Sequence, residues 1–565
     1  MNHQMRPPIH AGQAVVEALK AEGVEKIFCV PGSHLHQFYD ALREEPSIKL
    51  ITCKQEPNAS LMADAYGRLT RRPGVCLLTA GPGGANSLAG VAQAYGAASP
   101  VIHISGAAPL NADREAFHGV DDPEFLVKIF QPATKWSVRV QKIEDIPSVM
   151  AKAFRIARSG RTGPVHVEIP RASDYTPYLL QPKPAVLEPY RAEPVEVLAP
   201  SSEDVDLIAR RLLKAKSPVL CAGKGVIRKG AMQELAELST KLSAPVVFPQ
   251  DSIGVIAQDH PFAASHFSNR PSPLFDRVMA GADLLLSVGL RAETAETSEL
   301  KNFAPPNHIL VGFDNARDSA YTGEDQIVAD PKLFLGALLE RLKGESRPCD
   351  EERKRDLAAC KAKLRESLYA QIKEFRSAKP IHPGFLMETL ASFLARDAIL
   401  VSDVGNCQMW GRQYLPINHA ESFIQSGVWN AMSLSLPTAI VAKLEFPQRQ
   451  VVGLAGDGAF LMVVGDFVTA ADLGANIIMV VLNDGGYGQI HMQQMNLYGK
   501  CYGVHFKSPN FSEIATACGA LGIRVEEPGK LEGALRTAFD ADRPAIVEVM
   551  TGVYPYPSTK GVLGK

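Results

Sequence analysis

Gly456-Asp457-Gly458 follows the apolar run Val451–Ala455, and Asn483 ends a second apolar run, Ile477–Leu482. Strand, glycine-rich turn and helix, then a strand ending in an amide side chain, describe one βα crossover between neighbouring parallel strands. Asp457 and Asn483 are thereby placed at the carboxyl ends of adjacent strands, where open α/β sheets bind ligands. A carboxylate beside an amide oxygen suits a hard cation. Mg2+ takes near-octahedral oxygen ligands, and one carboxylate, one amide oxygen and one backbone carbonyl leave roughly half the octahedron for phosphate oxygens and water. The glycines let the backbone approach those phosphates. Gly458 and Ala459, opening the next helix, add N–H donors and a favourable dipole. GDG alone occurs in many turns; with an asparagine one crossover later it is a far stronger signal.

This pattern resembles the diphosphate-binding motif of thiamine-diphosphate-dependent enzymes. The resemblance implies thiamine diphosphate and Mg2+ as cofactors, Asp457 and Asn483 as side-chain ligands and Gly485 as the backbone ligand. Thiamine chemistry also needs a carboxylic acid to protonate the aminopyrimidine ring, and an apolar pocket lets a carboxyl keep its proton to higher pH. Lys54-Gln55-Glu56-Pro57-Asn58-Ala59 lies between an expected strand, Leu50–Cys53, and an expected helix, Ala59–Arg68. It is similar to the glutamate segment of the acetolactate synthase, benzoylformate decarboxylase and benzaldehyde lyase superfamily, and Glu56 matches the activating glutamate. In isolation Glu56 reads as an ordinary first-turn helix glutamate.

Further matches cover nearly the whole chain. Met62–Arg68 and Thr79–Asn86 look like the segments that follow the glutamate. Asp403–Trp410 resembles the synthase segment whose two residues after Val-Gly touch the diphosphate, here Asn406 and Cys407. Ser426–Pro437 resembles the stretch that carries the bulky apolar residue under the bend of the cofactor, here Met432. The backbone carbonyl of Asn430 would accept a hydrogen bond from the cofactor's amino group; the family usually has glycine there. As an unrelated core residue, Met432 would simply fill space.

The substrate-facing matches are mixed. Pro31-Gly32-Ser33-His34 aligns with the loop that faces the thiazolium. Ser33 matches a benzoylformate decarboxylase serine and His34 a benzaldehyde lyase histidine; both also fit a capped helix start. Phe117-His118 aligns with Phe-Gln of acetolactate synthases, and His118 could relay protons. Thr79 stands where benzoylformate decarboxylase has a second histidine. The synthase segment Arg-Gln-Trp-Gln reads His491-Met492-Gln493-Gln494, so the tryptophan that shapes the acceptor pocket is missing. The resemblance therefore implies a C–C bond lyase or carboligase acting on 2-oxo acids or 2-hydroxy ketones, with decarboxylation or carboligation favoured over oxidation. The alternative is an FAD-containing acetohydroxyacid synthase or 2-oxo acid oxidase. Gly289 and Arg291 match part of an FAD site, but Ser265–Pro271 replaces its neighbouring stretch, so FAD is weighed and not favoured.

These residues must be held by elements. Short apolar runs alternate with helical patterns: Val75–Thr79, Val101–Ser105, Val165–Ile169, Pro218–Ala222, Leu284–Val288, Ile309–Phe313, Ile399–Val401, Val451–Leu454, Ile477–Leu482 and Ala545–Val549. Runs apolar on both faces and separated by helices predict parallel sheets covered on both sides. The proline-rich segment 170–200 reads as a linker. A polar stretch at Gly344–Asp350 and a charged helix from about Glu351 to Arg376 mark a second break. The expectation is an α/β chain of three doubly wound domains: pyrimidine-binding (1–185), central Rossmann-like (186–350) and diphosphate-binding (375–565). The outer two open alike, with helix, strand and turn at Ala11–Gly32 and again at Pro383–Gly405, a weak internal repeat.

Composition bounds the rest. With 565 residues the chain exceeds one core. A net charge of −2 supplies no overall basic field for nucleic acid or anionic lipid. No segment offers a membrane span or the apolar stretch of a signal peptide. Nine cysteines without a C-x-x-C pair fit neither a disulfide framework nor a zinc site, and suggest buried thiols in a reducing cytoplasm. A NAD-linked dehydrogenase would need G-x-G-x-x-G on a first βα turn, which is absent. A non-catalytic homologue is disfavoured by the joint presence of Glu56, Asp457 and Asn483. The expected partners are a small carbonyl substrate and further copies of the chain, as a homodimer or homotetramer, because the superfamily builds its sites at subunit interfaces.

Overall fold

The computed structural model describes residues 10–107, 110, 118–170, 192–193, 197–267, 272–290, 300, 302–313, 325–345, 347 and 349–564. Most of the expected linker, Phe117, Arg291 and the end of the Ser265–Pro271 stretch lie outside them. By packing, the chain forms two compact units. The first comprises the described residues of Met1–Glu196 with Trp429–Glu445 and Val463–Leu473. The second comprises those of Val197–Val428, Phe446–Met462 and Gly474–Lys565.

The first unit is built on β1 (Lys26–Cys29), β2 (Lys49–Thr52), β3 (Gly74–Leu78), β4 (Val101–Ala107), β5 (Trp136–Arg139) and β6 (Pro164–Pro170), paired in parallel in the order β2-β1-β3-β4-β6-β5. The second unit holds two sheets. β7 (Pro218–Ala222), β8 (Val246–Pro249), β9 (Ala263–Phe267), β10 (Leu284–Val288), β11 (His308–Gly312) and β12 (Asp325–Val328) run β12-β11-β10-β7-β8-β9. Read from the other edge, this is the doubly wound dinucleotide order, with its switch point between β7 and β10. β13 (Ile399–Ser402), β14 (Phe423–Gln425), β15 (Val451–Gly456), β16 (Ile478–Asn483), β17 (Leu521–Val525) and β18 (Ala545–Met550) run β14-β13-β15-β16-β18-β17. That order repeats the first sheet strand for strand, so the resemblance between the two openings extends through a whole sheet. All three sheets are parallel, the expected class of doubly wound α/β architecture.

Central strands such as β3, β4, β7 and β10 are buried along their whole length, because helices cover both faces. Edge strands β5, β9 and β17 are half-buried for most of theirs, and carry no unbroken apolar run. The charged helix ends at Ile372, four residues short of the expected Arg376, and closes with a 3-10 turn at Lys373–Phe375. Asp350 caps its start by accepting from the Arg353 amide at 2.9 Å.

Two histidines are sealed inside the first sheet. His103 bonds the Ser87 hydroxyl at 2.7 Å; His166 bonds those of Ser105 and Ser137, each at 2.9 Å. Burial drives His103 down to about 3 and His166 well below the ordinary imidazole value. Both are therefore neutral when folded, whereas in the unfolded chain they take up a proton below about pH 6.5. Stability carried by the neutral forms is present above that pH and is lost as pH falls toward the folded values. Each histidine should lower the unfolding free energy by about 1.4 kcal/mol per pH unit below about 6.5. Urea unfolding followed between about pH 7 and about pH 5.5 checks this; an unchanged midpoint would contradict it.

Candidate active site

In the second unit, β15 ends at Gly456 and the chain turns at once into the helix Asp457–Leu461. Asp457 is buried and accepts from the Gly458 amide at 3.0 Å, the Gly485 amide at 3.1 Å and the Ser508 hydroxyl. Burial raises its carboxyl above the usual range, and these bonds oppose the shift. Asn483 ends β16 on the neighbouring strand. Its Nδ2 donates to Glu548 Oε1 at 2.7 Å, and its Oδ1 accepts from the Gly485 amide at 3.3 Å. The amide is thus oriented by Glu548, which turns its oxygen toward the Asp457 side. Glu548 lies fully buried on β18 and is itself held by Arg524 at 3.0 Å and the Ser512 amide at 3.3 Å.

Gly485 sits at φ +72°, and its carbonyl accepts from the Phe506 amide at 3.1 Å, leaving one lone pair. A Cβ at Gly458 would lie 2.7 Å from the Tyr487 ring, so a larger residue here would have to displace that ring. Two hard oxygens at adjacent strand ends, a glycine turn and a helix start fit Mg2+ with a diphosphate. Asp484 stands beside them. Its carboxyl is pushed up to about 7, first by burial and then by the charge of Asp457.

Asn406 and Cys407 open the helix Asn406–Tyr414. The Asn406 side chain donates to Asp484 at 3.0 Å and accepts from the Tyr556 hydroxyl, so the C-terminal tail reaches this helix start. The Cys407 side chain is buried against the Asp403 carbonyl at 3.3 Å, and burial pushes its thiol up to about 12. Only its backbone is left to meet a ligand.

The first unit gathers another set. Glu56 is the first residue of the helix Glu56–Thr70, three residues earlier than expected, and is half-buried. Asn86 donates to its Oε2 at 3.3 Å. A Cβ on Gly83 would fall 3.7 Å from its Oε1, placing the loop after β3 beside the carboxyl. The same loop carries Thr79, whose hydroxyl is 3.5 Å from His34 Nδ1, and Gly81, against which the His118 ring packs. The His34 and His118 rings are 6.2 Å apart. Glu56, His34 and His118 thus border one loop. Ser33 is exposed at the start of a 3-10 turn and caps nothing.

Asp466 was not evident from sequence. Buried beside the Glu56 turn, it accepts from the Lys54 amide and the Thr469 hydroxyl, each at 2.9 Å, and from the Asn58 side chain. We predict that Asp466→Ala, which strips its acceptor from the buried Asn58 side chain and from the part-buried Lys54 amide, costs about 1–3 kcal/mol of stability. It should also lower turnover while Glu56 itself is unchanged. Thermal unfolding and steady-state kinetics on one preparation check both.

Asn430 and Met432 also belong to the first unit. Asn430 is exposed with φ +54°, the left-handed region that glycine occupies freely and asparagine tolerates best among other residues. That accounts for asparagine in a place where the family has glycine. Met432 is half-buried, and the neighbouring Ala431 amide donates to Gln93 at 3.4 Å.

Comparison with known proteins gives the family. Residues 9–125 match the thiamine pyrophosphate enzyme N-terminal TPP binding domain, 205–338 the central domain and 403–549 the C-terminal TPP binding domain. The acetolactate synthase isozyme 3 large subunit of Escherichia coli is 30% identical, over 95% of this chain and 93% of that protein. The catabolic acetolactate synthase of Raoultella terrigena is 30% identical, over 98% and 97%. The probable acetolactate synthase large subunit of Methanococcus aeolicus is 29% identical, over 96% and 92%. The chain belongs to the thiamine-diphosphate-dependent enzymes, in the superfamily that includes the acetolactate synthase large subunits.

Proposed function

We propose that this enzyme makes or breaks a carbon–carbon bond next to a carbonyl, on 2-oxo acids or 2-hydroxy ketones, with thiamine diphosphate held through Mg2+. The observation that carries the reading is the Glu548–Asn483 bond, which commits the amide NH2 and so turns its oxygen toward the Gly485 amide that Asp457 also binds. A buried amide oriented in this way offers a hard oxygen donor. Asp457 and Asn483 would hold the cation, with the Gly485 carbonyl completing the protein ligands. The amides of Gly458, Ala459, Asn406 and Cys407 would receive diphosphate oxygens. Thiamine diphosphate, when bound, supplies the nucleophilic carbon and the electron sink for carbanion chemistry. Glu56 would hold the proton that the aminopyrimidine exchanges, and Asn86 keeps one carboxyl oxygen engaged. His34 and His118 would pass protons to and from substrate oxygens.

Gln493, exposed on the helix Gly488–Tyr498, leaves the acceptor side without its tryptophan. This supports a decarboxylase, lyase or carboligase reaction outside branched-chain synthesis. A panel of 2-oxo acids and 2-hydroxy ketones, with products identified by mass spectrometry, tests it. Turnover of neither class would sink the proposal.

The assembly follows the superfamily: Glu56 of one subunit serves the diphosphate site of another. Co-expressed Glu56→Gln and Asp457→Ala chains, each inactive alone, should then recover roughly a quarter of native activity through mixed dimers. Sites built within single chains would recover none. The central domain is read as flavin-free. Gly289 matches part of an FAD site, but Ser265–Pro271 replaces the stretch that would complete it. A visible spectrum of the purified chain should lack flavin bands; a yellow protein would favour the oxidase or flavin-synthase alternative.

A further inference from the structure

We propose that His491, Cys501 and His505 form a binding site for a zinc-class divalent cation, separate from the oxygen ligands of Asp457 and Asn483. His491 projects from the helix Gly488–Tyr498, and Cys501 and His505 lie on the segment that follows. His491 Nδ1 is 3.2 Å from His505 Nε2, and Cys501 Sγ is 3.5 Å from the first and 3.6 Å from the second. A tetrahedral Zn2+ has N ligands at about 2.05 Å and S at about 2.3 Å, which sets its N···N edge near 3.3 Å and its N···S edges near 3.6 Å. The three observed edges match one face of that tetrahedron. Among the described residues, this is the one group of histidine, cysteine and carboxylate side chains whose ligand atoms converge in this way.

The donor set is soft and borderline, two imidazoles and a thiolate, which suits Zn2+ or Co2+ and not Mg2+. The Cys-x3-His spacing places two of the donors on one turn of chain. His491 and Cys501 are half-buried and His505 is exposed, so an ion can enter and a fourth position stays open to water. The segment is already held against the helix start. The Tyr487 amide donates to the Val504 carbonyl at 2.8 Å, and Gln494 bonds the Tyr502 backbone through both of its amide atoms. A cation here would fasten residues 501–508, whose end carries the Phe506 and Ser508 contacts to Gly485 and Asp457. The ion is thus a structural staple, and no catalytic step passes through it.

Untagged full-length protein, stripped of metal and titrated with Co2+ in excess Mg2+, tests the site. The expected result is one equivalent bound per chain, with visible d–d bands of tetrahedral strength and a near-ultraviolet thiolate-to-cobalt band. Cobalt at an all-oxygen site gives no thiolate band. Cys501→Ser should abolish that band, His505→Asn should weaken binding at least tenfold, and added Zn2+ should bleach both band types. Absence of the thiolate band in the native chain, or its persistence in Cys501→Ser, overturns the proposal. If a variant loses its native circular dichroism, the native-chain titration and its reversal by zinc decide alone.

Discussion

Glu56→Gln should lower turnover about 10²- to 10⁴-fold, the usual contribution of a positioned acid–base group, while the protein folds and still binds its cofactor. Glutamine keeps the shape and the Asn86 contact but cannot exchange a proton. The competing role makes a different forecast. A first-turn glutamate interacting only with the helix dipole stabilises by about 0.3–1 kcal/mol and leaves turnover alone. Equilibrium unfolding and steady-state rates on the same variant separate the two. A modest stability change with full activity would remove the mechanism proposed above. Glu56→Asp should recover part of the rate, because it restores the acid one methylene short.

The second large effect is expected at Glu548→Ala. It leaves the Asn483 NH2 group without its buried acceptor, at about 1–3 kcal/mol, whereas the Ser512 amide keeps its bond to Asn510 Oδ1 at 3.1 Å. It also frees the Asn483 amide to turn. Loss of a residue that orients a metal ligand typically weakens the metal about 10- to 100-fold. The Mg2+ concentration for half-maximal cofactor binding should rise by that factor, with fluorescence titration as the readout. Arg524→Ala removes another partner of Glu548 but leaves the Asn483 contact, so it should affect Mg2+ far less. Equal shifts in both variants would show that the network supports the fold and not the ligand.

What sequence revealed of this site, and what it hid, divides along a physical line. Gly456-Asp457-Gly458 and Asn483 were legible because a tight phosphate-approaching turn needs its residue types at neighbouring positions. Glu548 lies 65 residues from Asn483. Asp466 lies 408 residues from Asn58. Pairing across such distances leaves no local pattern. Glu548 did leave a trace: one carboxylate in the middle of the apolar run Ala545–Met550 is a charge that needs a buried partner. Central strands announced themselves through unbroken apolar runs. Edge strands such as β9 and β17, wet along one face, did not. The early start of the helix at Glu56 was hidden by Pro57, which reads as a breaker yet is well suited to a first helical turn.

The helix Glu56–Thr70 is buried on nearly every side, and the helix Ser435–Glu445 from the last third of the chain packs on it. During synthesis the ribosome delivers these partners far apart in time. At roughly 5–20 residues per second, the nascent N-terminal sheet waits on the order of tens of seconds for its cover. Over that interval the helix bearing Glu56 exposes an apolar flank to the crowded cell. Chaperone retention, and rapid proteolysis of any polypeptide truncated before Ser435, are the consequences built into this chain order.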